Sequence, residues 1–296
     1  MEKITILAPA KINLFLRVGA RREDGYHDIE TVMQTVTLFD RLEVCKNEPE
    51  AESVIDVRCR DFMAPDGAGN IVFRAAAAFF AAAGIEKYHI SFVIDKKIPS
   101  EAGLGGGSSD AAAAIIALDR LYGTAMTVED MCAIAAGVGA DVPFCIKKGT
   151  ASATGIGEIV ESCAPMPDCA ILVAIPKGSR ICTADAYAKI DGIPGASSYT
   201  CSDMLCAMTS CDLGKISAAL YNQFEAVTDP STGVFALIDA VKGAGALGAC
   251  MSGSGPAVFG LFCDIASARA AKDALGAGVD AFVCSPARRD YPYIES

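Results

Sequence analysis

The segment PSEAGLGGGSSDAAA, residues 99–113, packs four glycines into positions 103–107 and follows them at once with two serines, an aspartate and an alanine run. Without Cβ atoms at Gly103, Gly105, Gly106 and Gly107, the backbone can take positive φ and approach a ligand closely. The alanines predict a helix from about Ser108 to Tyr122. Its first turn presents unpaired N–H groups and the positive end of a dipole, a favourable place for an anion. The hydroxyls of Ser108 and Ser109 suit a phosphate or a Mg2+ ion. A strand-to-helix turn with a serine cap is the plainer alternative, but a cap does not need so many glycines. No Lys-Ser/Thr pair follows them, so this is not a Walker-type loop. It also fails as a dinucleotide fingerprint, because it comes late and no acidic residue ends a following strand.

Outward from this loop the chain reads as α+β. Apolar, β-branched strands are expected at 3–8, 11–18, 29–39, 41–45, 53–58 and 89–95, with a polar turn, GARREDGYHD, at 19–28. NIVFRAAAAFFAAAG, residues 70–84, reads as a helix with Asn70 as its N-cap and Gly84 just past its end. A further helix is expected at 127–137, and strands near 150–153 and 157–161 close a first domain, residues 1–160. A second, residues 161–296, supplies strands at 169–175, 248–251, 257–263 and 279–284. Its helices are expected at 183–190, 202–210, 214–225, 231–242 and 265–275.

The chain has 296 residues, 52% of them hydrophobic and 21% charged, enough for a sizeable core and two domains. A net charge of −11 argues against a nucleic-acid partner held by general electrostatic attraction. It also means that any triphosphate must be neutralised locally. The N-terminus does not read as a secretory signal, since Glu2 stands where positive charge belongs and Lys11 interrupts the apolar run. Residues 243–263 carry no charge, but their glycines, serines and Pro256 suit a turn between buried strands better than a membrane span. Thirteen cysteines form no CxxC pair or zinc-finger spacing, and with only two histidines the chain reads as a reduced, cytoplasmic protein without a membrane segment.

Three separated segments, PAKINL at 9–14, the glycine loop, and SGSGPAVFGLF at 252–262, resemble the motifs of the GHMP kinases. APAKINLFLRV, DGYHDIETVMQTV (24–36), LGGGSSDAAA (104–113) and GADVPFCIKKGTASATGIGE (139–158) resemble, more narrowly, the branch acting on a cytidine-diphosphate-linked methylerythritol. The likeness spans essentially the whole chain and is strongest in the first 160 residues. It implies a two-domain GHMP kinase fold, an N-terminal α/β domain and a C-terminal ferredoxin-like domain with the active site between them. It further implies ATP-dependent phosphorylation of the 2-hydroxyl of 4-diphosphocytidyl-2-C-methyl-D-erythritol, a step of non-mevalonate isoprenoid synthesis, with Mg2+ offsetting the triphosphate charge. Another small alcohol, such as homoserine or mevalonate, is the alternative acceptor.

The resemblance also assigns residues. Lys11, which by itself reads as the solvent side of a strand, is placed beside Asp141 to stabilise a developing alkoxide. Asp141, otherwise a turn residue before a strand, becomes the candidate general base, or a group that only orients the hydroxyl. Pro99, Ser100, Glu101, Ala102, Gly103, Leu104, Gly105, Gly106, Gly107, Ser108 and Ser109 form the ATP loop. Asn13, Tyr26 and His27 match positions that contact the cytidine-bearing substrate. The ring nitrogens of a histidine can read a cytosine edge, and a tyrosine offers a face for stacking. Thr183 and Tyr187, in RICTADAY, correspond to a substrate-binding threonine and a second aromatic. Asp110 stands where some members carry Asn, and Glu101 could bring a carboxylate near the metal, whose ligands are otherwise unknown. Oligomeric state, including a homodimer, stays open.

Overall fold

The computed structural model describes residues 2–48, 52–60, 64–192, 200–291 and 293–295. The chain opens with two long antiparallel strands, β1 (Glu2–Arg21) and β2 (His27–Lys46). It continues through β3 (Val54–Cys59), α1 (Ile71–Ala83), β4 (His89–Asp95), α2 (Gly106–Tyr122), α3 (Val128–Ala136), α4 (Val142–Lys147), β5 (Thr150–Thr154) and β6 (Ile159–Ser162). Next come β7 (Ala170–Pro176), α5 (Thr183–Ile190), α6 (Cys201–Thr209), α7 (Leu213–Ala218) and β8 (Tyr221–Asn222). The chain closes with α8 (Val234–Gly243), β9 (Gly248–Met251), β10 (Val258–Phe262), α9 (Ile265–Ala274), β11 (Val279–Cys284) and β12 (Ile294–Glu295).

The first sheet runs β12-β1-β2-β4-β3, with β5 on β2, β6 on β5, and β8 beside β1. The second runs β11-β7-β10-β9 and is antiparallel throughout. Strand, helices, strand pair, helix and strand in that sheet order make the expected ferredoxin-like arrangement. β8 and β12, both from beyond residue 160, pair with β1 of the first sheet. One core cluster likewise joins the two sheets, setting Ile12 and Leu14 of β1 among Ile171, Val173 and Phe259.

Local chemistry explains the elements that frame the cleft. Asn70 caps α1 as expected, its side chain accepting from Val72 N at 2.9 Å. In α2 Ala111–Ala114 are all buried, since small side chains let the helix lie close against its neighbours. The residues expected as strands 3–8 and 11–18 are one strand, and so are 29–39 and 41–45. Register shifts between Pro9 and Lys11 and between Asn13 and Phe15 mark where β1 bends. Between those shifts Lys11 and Asn13 sit two residues apart in regular pairing, so they share a face.

Other expectations are corrected. α2 begins at Gly106 rather than Ser108, so Gly106 and Gly107 are helical. Asp141 precedes the short helix α4, not a strand. The helix expected over 214–225 stops at Ala218, because Tyr221 and Asn222 pair with Phe15 and Leu16 of β1 and tertiary pairing overrides local periodicity. Residues 243–263 form the end of α8, β9, a turn and β10. No helix among the described residues is long and apolar enough to cross a membrane.

Candidate active site

The glycine loop is a wall between two basins. On one side a cavity of about 680 Å³ is lined by Lys11, Asn13, Asp141, Thr183, Tyr187 and Ser254, among others. On the other a cavity of about 1010 Å³ is lined by Asn70, Lys96, every residue from Pro99 to Ser108, and Asp110. Glu101, Gly103, Gly105, Ser108 and Arg180 face both. Molecules occupying the two basins therefore meet at the loop.

Lys11, only 4% exposed, lies in the first basin with Nζ 2.7 Å from Asn13 Oδ1 and 3.3 Å from Asp141 Oδ2. Asn13 is held in turn, its Nδ2 donating to Thr31 Oγ1 at 2.9 Å, while Thr31 Oγ1 donates to Phe15 O at 2.6 Å. Asp141 occupies the N-cap position of α4, yet its carboxylate makes no capping bond. It is left for Lys11 and for a ligand.

The glycines serve different ends. Gly103 (φ +79°) lies so close to the 252–255 turn that a Cβ there would collide with the Ser252 carbonyl oxygen. Gly105 (φ +67°) would put a Cβ 2.8 Å from Lys11 Cγ. A Cβ at Gly106 would meet Ile98 and Lys96 rather than a ligand, and one at Gly107 would meet only Ile71, at 3.7 Å. Gly103 and Gly105 therefore combine positive φ with close approach, but to protein atoms, the 252–255 turn and Lys11, rather than to a ligand. The amides of Gly106, Gly107 and Ser108 have no partner four residues back within α2. Ser109 differs: its N–H donates to Gly105 O at 2.9 Å, and its hydroxyl is buried without a partner and lines neither basin. Sequence reasoning placed Ser109 on the nucleotide, and the structure does not bring it there.

Beneath the loop lies a cluster that sequence reasoning missed. The buried Lys96 ammonium donates to Asp40 Oδ2 and, at 2.8 Å, to Asp110 Oδ2. Asp40 Oδ1 accepts from the N–H groups of Lys97 (2.6 Å) and Ile98 (2.8 Å). The ion pair bridges the residues just before and just after the loop. Burial, reinforced by the Asp40 charge, pushes Asp110 up to about 8 despite the Lys96 ammonium. Burial alone would lower Lys96, but the charges of Asp110 and Asp40 outweigh it and hold it above the usual lysine value.

The second sheet supplies the third side. Ser252 Oγ accepts from Asn13 N at 3.3 Å and donates to Gly103 O at 2.9 Å. Asn222 Nδ2 donates to Met251 O (2.7 Å) and Gly253 O (2.8 Å), fixing the turn. Thr183 Oγ1 and Ser254 Oγ are 2.7 Å apart. The SGSGP motif signalled the turn, whereas no local signal marks Asn222.

Of the expected substrate residues, Asn13, Thr183 and Tyr187 line the first basin, whereas Tyr26 and His27 are not among its lining residues. Tyr26 stands 60% exposed in the β1–β2 turn. His27 is buried, stacked on Tyr187 (centroids 5.0 Å apart, planes at 24°), with Nε2 2.7 Å from Asp191 Oδ1. Tyr187 also meets Phe224 edge-on at 4.9 Å. Burial and the nearby Asp141 charge push its phenol up to about 12, so it stays a hydroxyl donor.

A two-sheet α+β scaffold of this order, with a glycine-loop wall and a lysine–aspartate pair facing one basin, defines a GHMP-type small-molecule kinase. Residues 70–149 match the GHMP kinases N terminal domain and residues 208–281 the GHMP kinases C terminal domain. The 4-diphosphocytidyl-2-C-methyl-D-erythritol kinase of Thermoanaerobacter pseudethanolicus is 39% identical over 280 residues, 93% of each chain. A crystal structure of 4-(cytidine 5'-diphospho)-2C-methyl-D-erythritol kinase superposes with a TM-score of 0.78 at 34% identity, covering 95% of this chain and 98% of that one. Homoserine kinase from Cytophaga hutchinsonii shares the fold alone, with a TM-score of 0.72 at 20% identity over 97% of this chain and 95% of that one. The chain belongs to the 4-diphosphocytidyl-2-C-methyl-D-erythritol kinase family.

Proposed function

We propose that the protein transfers the γ-phosphoryl group of ATP to the 2-hydroxyl of 4-diphosphocytidyl-2-C-methyl-D-erythritol, giving the 2-phosphate and ADP, in the cytoplasm. The observation that carries this reading is the shared wall: Gly103, Gly105 and Ser108 face both basins, with the Lys11–Asp141 pair in one of them. ATP occupies the larger basin, its phosphates on the amides of Gly106, Gly107 and Ser108, with Pro99 to Leu104 forming the approach. The acceptor occupies the smaller one.

The acceptor hydroxyl lies between Lys11 and Asp141. Its oxygen forms the new bond to Pγ as the bond from Pγ to the bridging oxygen of ADP breaks, and its proton passes to the Asp141 carboxylate. Lys11 stabilises charge developing on that oxygen. A loose transition state asks little of the base, so holding the hydroxyl in line is as much a part of Asp141's work as removing the proton. Asn13 and Thr31 keep Lys11 in place. Thr183, Tyr187, His27 and Tyr26 take the cytidine end.

Among the described residues no group of three carboxylate, histidine or cysteine side chains converges on a metal. Mg2+ carried by a triphosphate needs only one or two protein oxygens. Glu101, which faces both basins, is the carboxylate to hold it. When bound, the ion supplies charge neutralisation on the transferring phosphate.

The test is ADP release by purified protein with Mg2+, measured with the cytidine-diphosphate-linked alcohol, homoserine and mevalonate in parallel. Turnover with the first alone is expected. Turnover with another alcohol and none with the first would overturn the assignment.

A further inference from the structure

Cytosine and uracil differ at the 4-position, where one carries an amine donor and the other a carbonyl acceptor. A site that separates them needs a protein group of fixed polarity. A histidine ring does not have one by itself, because either nitrogen of the neutral imidazole can hold the proton. A fixed partner on one nitrogen settles the polarity of the other.

Asp191 is such a partner. It is the residue following α5, its Oδ1 2.7 Å from His27 Nε2 and its Oδ2 3.8 Å from Arg21 Nη1. Nε2 next to a carboxylate oxygen carries the proton and donates it. Nδ1 has no hydrogen-bond partner among the described residues, so in the neutral ring it is an acceptor. The ring cannot easily turn over and exchange the two nitrogens, because it is buried and stacked on Tyr187, which itself lines the acceptor basin.

We propose that Asp191 is a specificity-determining positioning residue. By taking the Nε2 proton of His27 it leaves Nδ1 as an acceptor for the exocyclic amine of a 4-aminopyrimidine, and a uracil oxygen there meets lone pair against lone pair. This rests on the reading above, in which the cytidine end binds at His27. Asp191 touches no reacting atom, so it acts on base selection and not on the phosphoryl-transfer step.

The experiment compares kcat/KM for the cytidine- and uridine-diphosphate-linked alcohols in wild type, Asp191→Ala, Asp191→Asn and His27→Ala. Asp191→Ala should lower the cytidine-to-uridine ratio by roughly 10- to 100-fold, with kcat at saturating cytidine substrate and KM for ATP unchanged. Asp191→Asn retains an acceptor oxygen and should keep most of the preference. A purely structural role would weaken both substrates equally and leave the ratio alone, and that result overturns the proposal. If His27→Ala also leaves the ratio intact, the base-binding reading fails with it. If His27→Ala collapses the ratio and Asp191→Ala does not, only the role of Asp191 fails. The unmodified protein gives an independent check, because it has only two histidines, at positions 27 and 89. Long-range 1H–15N spectra should show His27 protonated at Nε2 with Nδ1 bare, and a ring protonated at Nδ1 alone would refute the assignment.

Discussion

Replacing Asp110 by Asn should make the protein less sensitive to pH. Asp110 lies beside Lys96 with Asp40 on the ammonium's other contact, and its second oxygen, Oδ1, is buried without a partner. An ionised carboxylate would leave a bare charge there, so the proton stays on up to about pH 8. In the unfolded chain an aspartate releases its proton near pH 3.9. Between those values the folded state binds one proton more than the unfolded state, so this group's contribution to stability is fully present at low pH and falls as pH rises. The slope is up to about 1.4 kcal/mol per pH unit, so moving from pH 5.5 to 7.5 costs on the order of 2–3 kcal/mol. Asn has the shape of the neutral acid and cannot ionise. In urea titrations the stability of Asp110→Asn relative to wild type should therefore rise by about 2 kcal/mol across that interval, continuing a rise that begins near pH 4. Lys96→Met, which strips the buried Asp40 carboxylate of its counter-ion, should cost about 3–5 kcal/mol. If wild type and Asp110→Asn instead run parallel from pH 5.5 to 7.5, Asp110 is ionised throughout and the argument fails.

Asp141→Asn should lower kcat by about 10²- to 10⁴-fold while ATP affinity, measured by calorimetry, stays within a few-fold; normal turnover would remove Asp141 from catalysis. Gly103→Ala combines a positive φ with a collision against the Ser252 carbonyl, so it should cost about 3 kcal/mol or more in denaturant titrations and impair ATP binding. Gly107→Ala, whose Cβ meets only Ile71, is its control and should stay within about 1 kcal/mol of wild type. Lys148→Gly should stabilise the fold by about 1 kcal/mol, since Lys148 sits at φ +57°, ψ −176°, a region that glycine alone occupies without strain. Burial also lowers the Lys148 ammonium to about 8, against a small opposing effect of Cys145, and the Tyr293 ring lies 3.7 Å from its charge. Above that pH the unfolded chain holds the extra proton, so wild-type stability gains from this residue between about pH 8 and 10.4. That gain should vanish in the variant, as urea titrations at pH 8 and 9.5 will tell.

What the sequence makes readable follows from the range of the interactions. The glycine loop, the Asn70 cap and the α2 alanines are local, so composition and spacing reveal them. Lys11 and Asp141 are far apart in sequence, and only the family motif joins them. Helix α4 escapes because six residues, one of them Pro143, carry too little periodicity to separate helix from strand. The 214–225 segment misleads because its apolar spacing continues through Tyr221, whose partner Phe15 lies in β1. Asp191, Asn222 and Asp40 act through contacts 164, 29 and 56 residues away in the chain. A lone polar residue gives no sign of such a partner.

The charge of the chain makes the division of labour intelligible. Among the described residues, the cations facing the basins are Lys11, Lys96 and Arg180, and each already has an acidic neighbour: Asp141, the Asp40–Asp110 pair and Glu101. Fixed side chains therefore bring little net positive charge to a site that takes two polyanions. On the function proposed above, neutralisation falls to the amides at the start of α2 and to a metal that travels with the nucleotide. Amides act only over a short range and only when correctly aimed, so the loop has to be held rigidly. It is fastened on three sides: Leu104 O accepts from Lys11 N, Ala102 O from Ala257 N, and Gly103 O from Ser252 Oγ. The first of those partners is Lys11 of β1 itself, and the other two flank the turn of the second sheet. Because Ser252 also accepts from Asn13 N, a shift of that turn moves the glycine loop and the first basin together. On the proposed reading, the two substrates are kept in line by the joint between the sheets rather than by either sheet alone.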